Sequence, residues 1–242
     1  MIVPDSPGPR PRLRCGAAAR VLVGTALIAL LAACGETVPG TPVPTQHTAI
    51  TRHIGTPLAR LLPGQDLFPA RYATVVLPVD QARRAVADLA GVPPGAVADP
   101  EDCAPPQPRF DTDRLAVVVG TDNQTRATLT VELSRTDQPM ARLRDQLGHC
   151  EAVRVQRGPL ANAVVTQVES PPPVAADDAL ALRRTVSGPV GGPGLTQSMR
   201  TLVAQVGDVR INATYMSYEG AAPDMAALGG VFDATVANVR KG

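Results

Sequence analysis

An α+β fold, a mostly antiparallel sheet with helices packed on one face and one disulfide, is what this chain of 242 residues predicts. Three observations carry the prediction. Runs in which apolar and polar residues alternate recur between turn residues, the pattern of strands with one buried face. Segments with apolar residues three and four apart separate those runs, as amphipathic helices do. Two cysteines, Cys103 and Cys150, remain as a pair once the N-terminal region is set apart. Strands clustered as hairpins with helices between them belong to the α+β class.

The elements follow in chain order. Residues 50–62 suit one short helix, broken at Pro63 and Gly64, and residues 71–77 read as a strand ended by Pro78. Asp80 is placed to cap a helix over 81–90, where Ala82, Ala85, Val86 and Leu89 share a face and Gly91 and Pro93 stop the helix. Residues 92–113 hold Pro93, Pro94, Pro100, Pro105, Pro106 and Pro108, a long loop that a bond at Cys103 can staple. A continuous apolar run at 115–119 turns through Thr121, Asp122 and Asn123 into 125–133, where Leu129, Val131 and Leu133 alternate with Thr128, Thr130 and Glu132. Together they read as a hairpin with one wet face. Asp137 caps a helix carrying Met140, Leu143 and Leu147, ended by Gly148, and 151–156 is the next strand. Further strands fall at 164–168 and 179–187, on either side of Pro171, Pro172 and Pro173. The runs 199–206 and 209–216 flank Gly207 and Asp208, a two-residue, glycine-first turn that predicts a hairpin. Val209, Ile211, Ala213 and Tyr215 then share one face, and Arg210, Asn212 and Thr214 the other. Asp224 caps the final helix, whose Leu228, Val231, Phe232, Thr235, Val236 and Val239 form the face that packs on the sheet.

The N-terminus has a different character. Arg10, Arg12, Arg14 and Arg20 precede the apolar stretch 21–33, the charged and greasy parts of an export signal over residues 1–33. That stretch is short for a membrane span, which needs about 20 apolar residues. Leu31, Ala32, Ala33 and Cys34 resemble the lipobox of bacterial lipoproteins, which implies diacylglycerol on the Cys34 sulfur and Cys34 as the new N-terminus. Residues 34–49 become a lipidated cysteine and a Pro/Thr-rich tether, extended at about 3 Å per residue, and 50–242 the folded domain. Cys15 leaves with the signal and Cys34 is taken by lipid, so Cys103 and Cys150 are expected to be joined in an oxidising compartment. Closing that loop contributes about 4 kcal/mol by chain entropy. A metal site of Cys103, Cys150 and His149 is the rival reading, set aside for having too few ligands in a recognisable spacing.

Composition narrows the function. Basic and acidic residues nearly balance, 23 against 22, which gives nucleic acid no footprint. Without tryptophan, and with three tyrosines and three phenylalanines, stacked-ring platforms for sugars are not expected. The three histidines are His47 and His53, in or beside the tether, and His149, which follows a helix-ending glycine; a capping role suits it better than catalysis by a hydrolase. No nucleophile elbow, phosphate loop or zinc-protease motif occurs, so no catalytic residue, metal ligand or cofactor is assigned. Glu101 with Asp102, and Asp177 with Asp178, read as solvated turns rather than calcium ligands. Arg183, Arg184, Arg200 and Arg210, on or near the polar sheet face, are the candidates for contact with anionic groups of the cell envelope.

With its lipobox, Pro/Thr tether, the stretch from Asp99 to Cys103, the paired Cys150 and the terminal hairpin with its closing helix, the chain resembles the sensor-type lipoproteins of mycobacteria and their relatives. Near-exclusive use of arginine over lysine fits a GC-rich actinobacterial genome. The fold implied is similar to the extracellular sensor domain of a mycobacterial serine/threonine receptor kinase, in which sheet and helices frame a cleft. That resemblance implies two disulfides where this chain offers one pair. The function expected is non-enzymatic: a lipoprotein on the outer face of the cytoplasmic membrane, anchored by its lipid, binding an envelope ligand or protein partner in a cleft beside the sheet. A carrier of lipid or lipoglycan is the alternative, to be recognised by a large dry cavity.

Overall fold

The computed structural model describes residues 52–105, 113–188, 196–218 and 222–242. Its elements are α1 (Leu58–Leu61), β1 (Tyr72–Val76), α2 (Val79–Ala90), β2 (Val97–Asp99), β3 (Leu115–Asp122), β4 (Thr128–Arg135), α3 (Met140–His149), β5 (Ala152–Arg157), β6 (Leu160–Glu169), β7 (Asp178–Ser187), β8 (Thr196–Val206), β9 (Val209–Tyr218) and α4 (Met225–Lys241). The strands form one sheet in the order β1-β3-β4-β9-β8-β7-β6-β5-β2. Every neighbouring pair is antiparallel.

Side-chain alternation divides this sheet into two faces. On the first, Val118, Leu129, Val131, Leu133, Leu202, Ala204, Val209, Ile211 and Ala213 meet Leu228, Val231, Phe232, Val236 and Val239 of α4, with α1 and Phe68 closing one side. Asp224 caps α4 as expected, its carboxylate accepting from the Ala227 N–H at 3.1 Å. Basic Arg240 and Lys241 lie in the last turn, against the negative helix end. The Gly207–Asp208 hairpin also forms as read, pairing Val206 with Val209.

The second face is not bare. α1 and α4 share the first face, while α2 and α3 lie across the other. Ala82 of α2 packs on Leu115 and Val117, which alternate with the residues beneath α4. Met140 and Leu147 of α3 pack on Leu180, Leu182 and Val203. The C-terminal end of α2 reaches β6 and β7, where Leu89 and Val92 join Val164 and Val186. From β3 to β6, α2 therefore passes over β4, β9 and β8. Gly91 ends it with φ 78°, and a Cβ there would stand 2.8 Å from Val164. Two constraints, left-handed backbone and close approach, require glycine at that position.

The described part of the proline-rich stretch, up to Pro105, is not a plain loop: it holds β2, which pairs with β5, and a 3-10 turn ending at Cys103. The disulfide Cys103–Cys150 ties that turn to the end of α3. Helix starts differ from expectation at three places. α1 covers four residues, between Pro57 and Leu62, since Pro57 and Pro63 confine it. α2 and α3 begin after Pro78 and Pro139 with no side-chain cap, so Asp80 and Asp137 do not act as caps. Each proline stands at the N-cap itself, where it has no N–H to satisfy and its carbonyl accepts from the first turn, from Ala82 at 2.9 Å and Leu143 at 3.4 Å.

Candidate functional site

A nine-stranded sheet is wider than α4 with α1, so among the described residues the first face stays uncovered over β6, β5, β2 and the part of β7 from Arg183 to Ser187. Exposed apolar side chains mark it: Val165 is 41% and Val97 65% accessible. A shallow, open hollow of about 560 Å³ lies there, floored by Ala152, Ala161, Ala163 and Val165, with Asp99 and Arg154 at its border. Closer to α4, a recess of about 180 Å³ is lined by Arg183, Arg200, Thr185, Ser198, Tyr215 and Pro223. Small residues on the floor make the face smooth; arginines border it.

Arg183 and Arg200 are cross-strand neighbours in β7 and β8. Both guanidiniums reach Glu169 at the end of β6: Arg183 Nη2 to Oε1 at 3.1 Å, and Arg200 Nη1 to Oε2. Partial burial pushes the Glu169 carboxyl up, and the hydrogen bonds from Arg200 and Arg183 outweigh it, holding the group below the usual carboxylate range. Two cations share this carboxylate, and the Arg183 side chain is half exposed. Arg183 and Arg200 thus stand where a ligand can meet them.

Arg184 and Arg210 point to the opposite face. Arg184 donates to the Leu89 carbonyl at the end of α2, 2.7 Å, and to Thr166 Oγ1, 2.9 Å. It satisfies a carbonyl that the helix end leaves open. Arg210 donates to Gln205 Oε1 at 2.7 Å and to the Gln138 carbonyl at 2.6 Å, fixing the segment that leads into α3. Burial lowers both guanidiniums to about 10. These two arginines clamp the covering helices to the sheet and are enclosed by that role, so the sequence-level set of four splits in half.

Beneath α2 and α3 lies a polar centre that sequence reading missed. Glu132 is 8% exposed and accepts from Asn212 Nδ2 at 3.1 Å. Thr130 and Thr214 are buried beside it, and Thr201 shares a 2.9 Å hydrogen bond with Thr214. Burial raises the Glu132 carboxyl above its ordinary value, only partly offset by hydrogen bonds from Asn212 and Ser134 and the charge of Arg210. Glu132, Asn212 and Thr214 sit at the polar positions of alternating strands, so the sequence assigned them to water. Nothing local in β4 or β9 announces the helix overhead.

The remaining candidates are placed as follows. His149 Nε2 lies 2.9 Å from Asp102 Oδ2, beside the disulfide, and both side chains are largely exposed. Asp178 takes a 2.8 Å bond from Arg144, and Asp177 accepts from the Gly207 N–H at 2.7 Å, so this acidic pair is engaged by the fold. His53 Nδ1 lies 2.6 Å from Asp208 Oδ2, pinning the start of the described chain to the β8–β9 turn. Cys34 and the export signal expected over residues 1–33 lie outside the described residues.

No family model matches the chain, and no curated protein matches it. Solved structures are similar to it at low identity. An uncharacterized protein of Mycobacterium smegmatis, an Rv0999 ortholog, is 15% identical with a TM-score of 0.45, over 76% of this chain and 96% of that one. The extracellular domain of PknH from Mycobacterium tuberculosis is 12% identical with a TM-score of 0.45, over 75% and 94% of the two chains. At this level of likeness no residue role passes from either protein to this one.

Proposed function

We propose that this chain is an exported lipoprotein, held on the outer face of the cytoplasmic membrane through Cys34, whose domain recognises an anionic ligand or partner of the envelope without catalysing a reaction. The observation that carries the reading is the Arg183–Arg200 pair beside the recess on the uncovered sheet face. Paired guanidiniums next to a smooth floor of alanine and valine suit a ligand with a charged head and an apolar body. The export signal and the disulfide support the compartment. Recognition at the surface is favoured over lipid carriage inside, because Leu228, Phe232, Ile211 and Val209 are fully enclosed where sheet and α4 meet.

Two measurements test the two halves of the proposal. Cys34→Ser expressed in an actinobacterial host is expected to leave the membrane fraction; retention there at unchanged mass counts against the anchor. Native mass spectrometry of the protein purified from that host is expected to show a retained adduct that the Arg183→Glu/Arg200→Glu variant loses. An adduct held equally by both proteins moves the site elsewhere.

A further inference from the structure

Adjacent side chains usually diverge, yet at the disulfide two adjacent pairs converge. Asp102 and Cys103 end a 3-10 turn, and His149 and Cys150 end α3. The Asp102 carboxylate, Cys103 Sγ and a His149 ring nitrogen all lie within 4.8 Å of one another, and Cys150 Sγ is bonded to Cys103. We infer that, when the Cys103–Cys150 bond is reduced, Asp102, Cys103, His149 and Cys150 form a tetrahedral site for Zn²⁺.

The donor set decides the metal. Two thiolates, one imidazole and one carboxylate oxygen are the ligands of zinc and not of calcium or magnesium, which take oxygen alone. Zinc bonds of about 2.0–2.3 Å at tetrahedral angles hold ligand atoms about 3.3–3.8 Å apart, so on reduction the two sulfurs, bonded to each other in the disulfide, move apart while Asp102 and His149 stay within reach of Cys103. His149 and Asp102 are 62% and 66% exposed while the sulfurs are nearly buried, which gives the ion an entry side and a dry side. Asp102 supplies the fourth ligand whose lack argued against a metal in the sequence. In the oxidised chain the sulfurs are engaged with each other, so the site exists in one redox state.

The chemistry balances with a dithiol as reductant. Thiolate attack and exchange pass two electrons and two protons to Cys103 and Cys150, and the dithiol leaves as its own disulfide. Zn²⁺ then replaces the two thiol protons, which go to water.

Cobalt titration of the full chain tests this. Reduced with a phosphine, which does not compete for the metal as a dithiol does, the wild type is expected to take up one Co²⁺. A thiolate-to-cobalt charge-transfer band and the visible bands of tetrahedral cobalt report it, and one equivalent of Zn²⁺ abolishes them. The oxidised chain shows neither. Cys103→Ser/Cys150→Ser, which keeps Cys15 and Cys34, loses the signal; His149→Ala and Asp102→Asn each weaken Co²⁺ about tenfold or more. Zn²⁺ also raises the melting temperature of the reduced wild type, or restores its circular dichroism if reduction unfolds it, and does neither in the His149→Ala/Asp102→Asn double variant. Cobalt bands that survive in the double-serine variant overturn the inference. So does metal uptake that His149 and Asp102 substitutions leave unchanged.

Discussion

Glu132 and Asp208 show how one side chain's surroundings set its pH dependence, with opposite signs. Burial disfavours the Glu132 carboxylate, so its folded value lies above the unfolded one. The penalty is absent below the unfolded pKa, about 4.3, and grows as pH rises toward the folded value. Glu132→Gln keeps the shape without the charge. It is expected to stabilise the fold at pH 7 by about 1 kcal/mol or more, with the gain vanishing below about pH 4. Urea unfolding at both pH values measures it. Asp208 runs the other way. Partial burial pushes it up, but the Ile54 N–H at 2.8 Å, His53 and Arg135 Nη1 at 2.8 Å outweigh that and hold its carboxyl low. Its stabilisation is present above the unfolded value and is lost as pH falls through the folded one. Asp208→Asn is expected to cost about 1–2 kcal/mol at pH 7 and to converge with wild type in acid, where both are uncharged. Equal pH profiles for the two proteins would exclude this role.

Among the elements, α4 carries the main core. Phe232 is fully enclosed between the helix and the sheet, and Phe232→Ala is expected to cost about 3–5 kcal/mol in denaturant unfolding. The cap is a smaller, separable contribution. Asp224 takes the Ala227 N–H with one oxygen and faces Arg71 and the Tyr72 hydroxyl with the other, so Asp224→Ala is expected to cost about 1–2 kcal/mol. These elements were legible because each carries its own local signal: a capping aspartate, a 3.6-residue apolar period, a Gly207–Asp208 turn. β2 was not legible. Three residues among prolines show no period, and the β5 residues whose pairing makes them a strand lie 55 to 59 positions away in the chain. Likewise α2 looked like a helix for one face of any sheet, and its path over β4, β9 and β8 depends on strand order.

At the scale of the whole molecule, the wide sheet has more surface than the helices among the described residues cover, and the disulfide holds the β2 edge to α3. Cys103→Ser/Cys150→Ser is expected to lose about 4 kcal/mol, within a usual range of 2–5, read as a lower melting temperature in non-reducing buffer. The fold class, the hairpins, the final helix and the cysteine pair were set by the sequence alone, because periodicity, turn residues and cysteine count act between neighbours or by counting. What only the tertiary structure decided is which polar residues meet water. Arg183 and Arg184 are adjacent in β7, yet one faces the open floor and the other closes the end of α2, since successive side chains of a strand point to opposite faces. Glu132 and Arg210 are polar in the same alternating pattern as exposed residues, and they are buried because α2 and α3 cross strands that lie far from them in the chain. Alternation tells a strand's two faces apart; which face another element will cover is fixed by long-range packing, and that is written in no single stretch of residues.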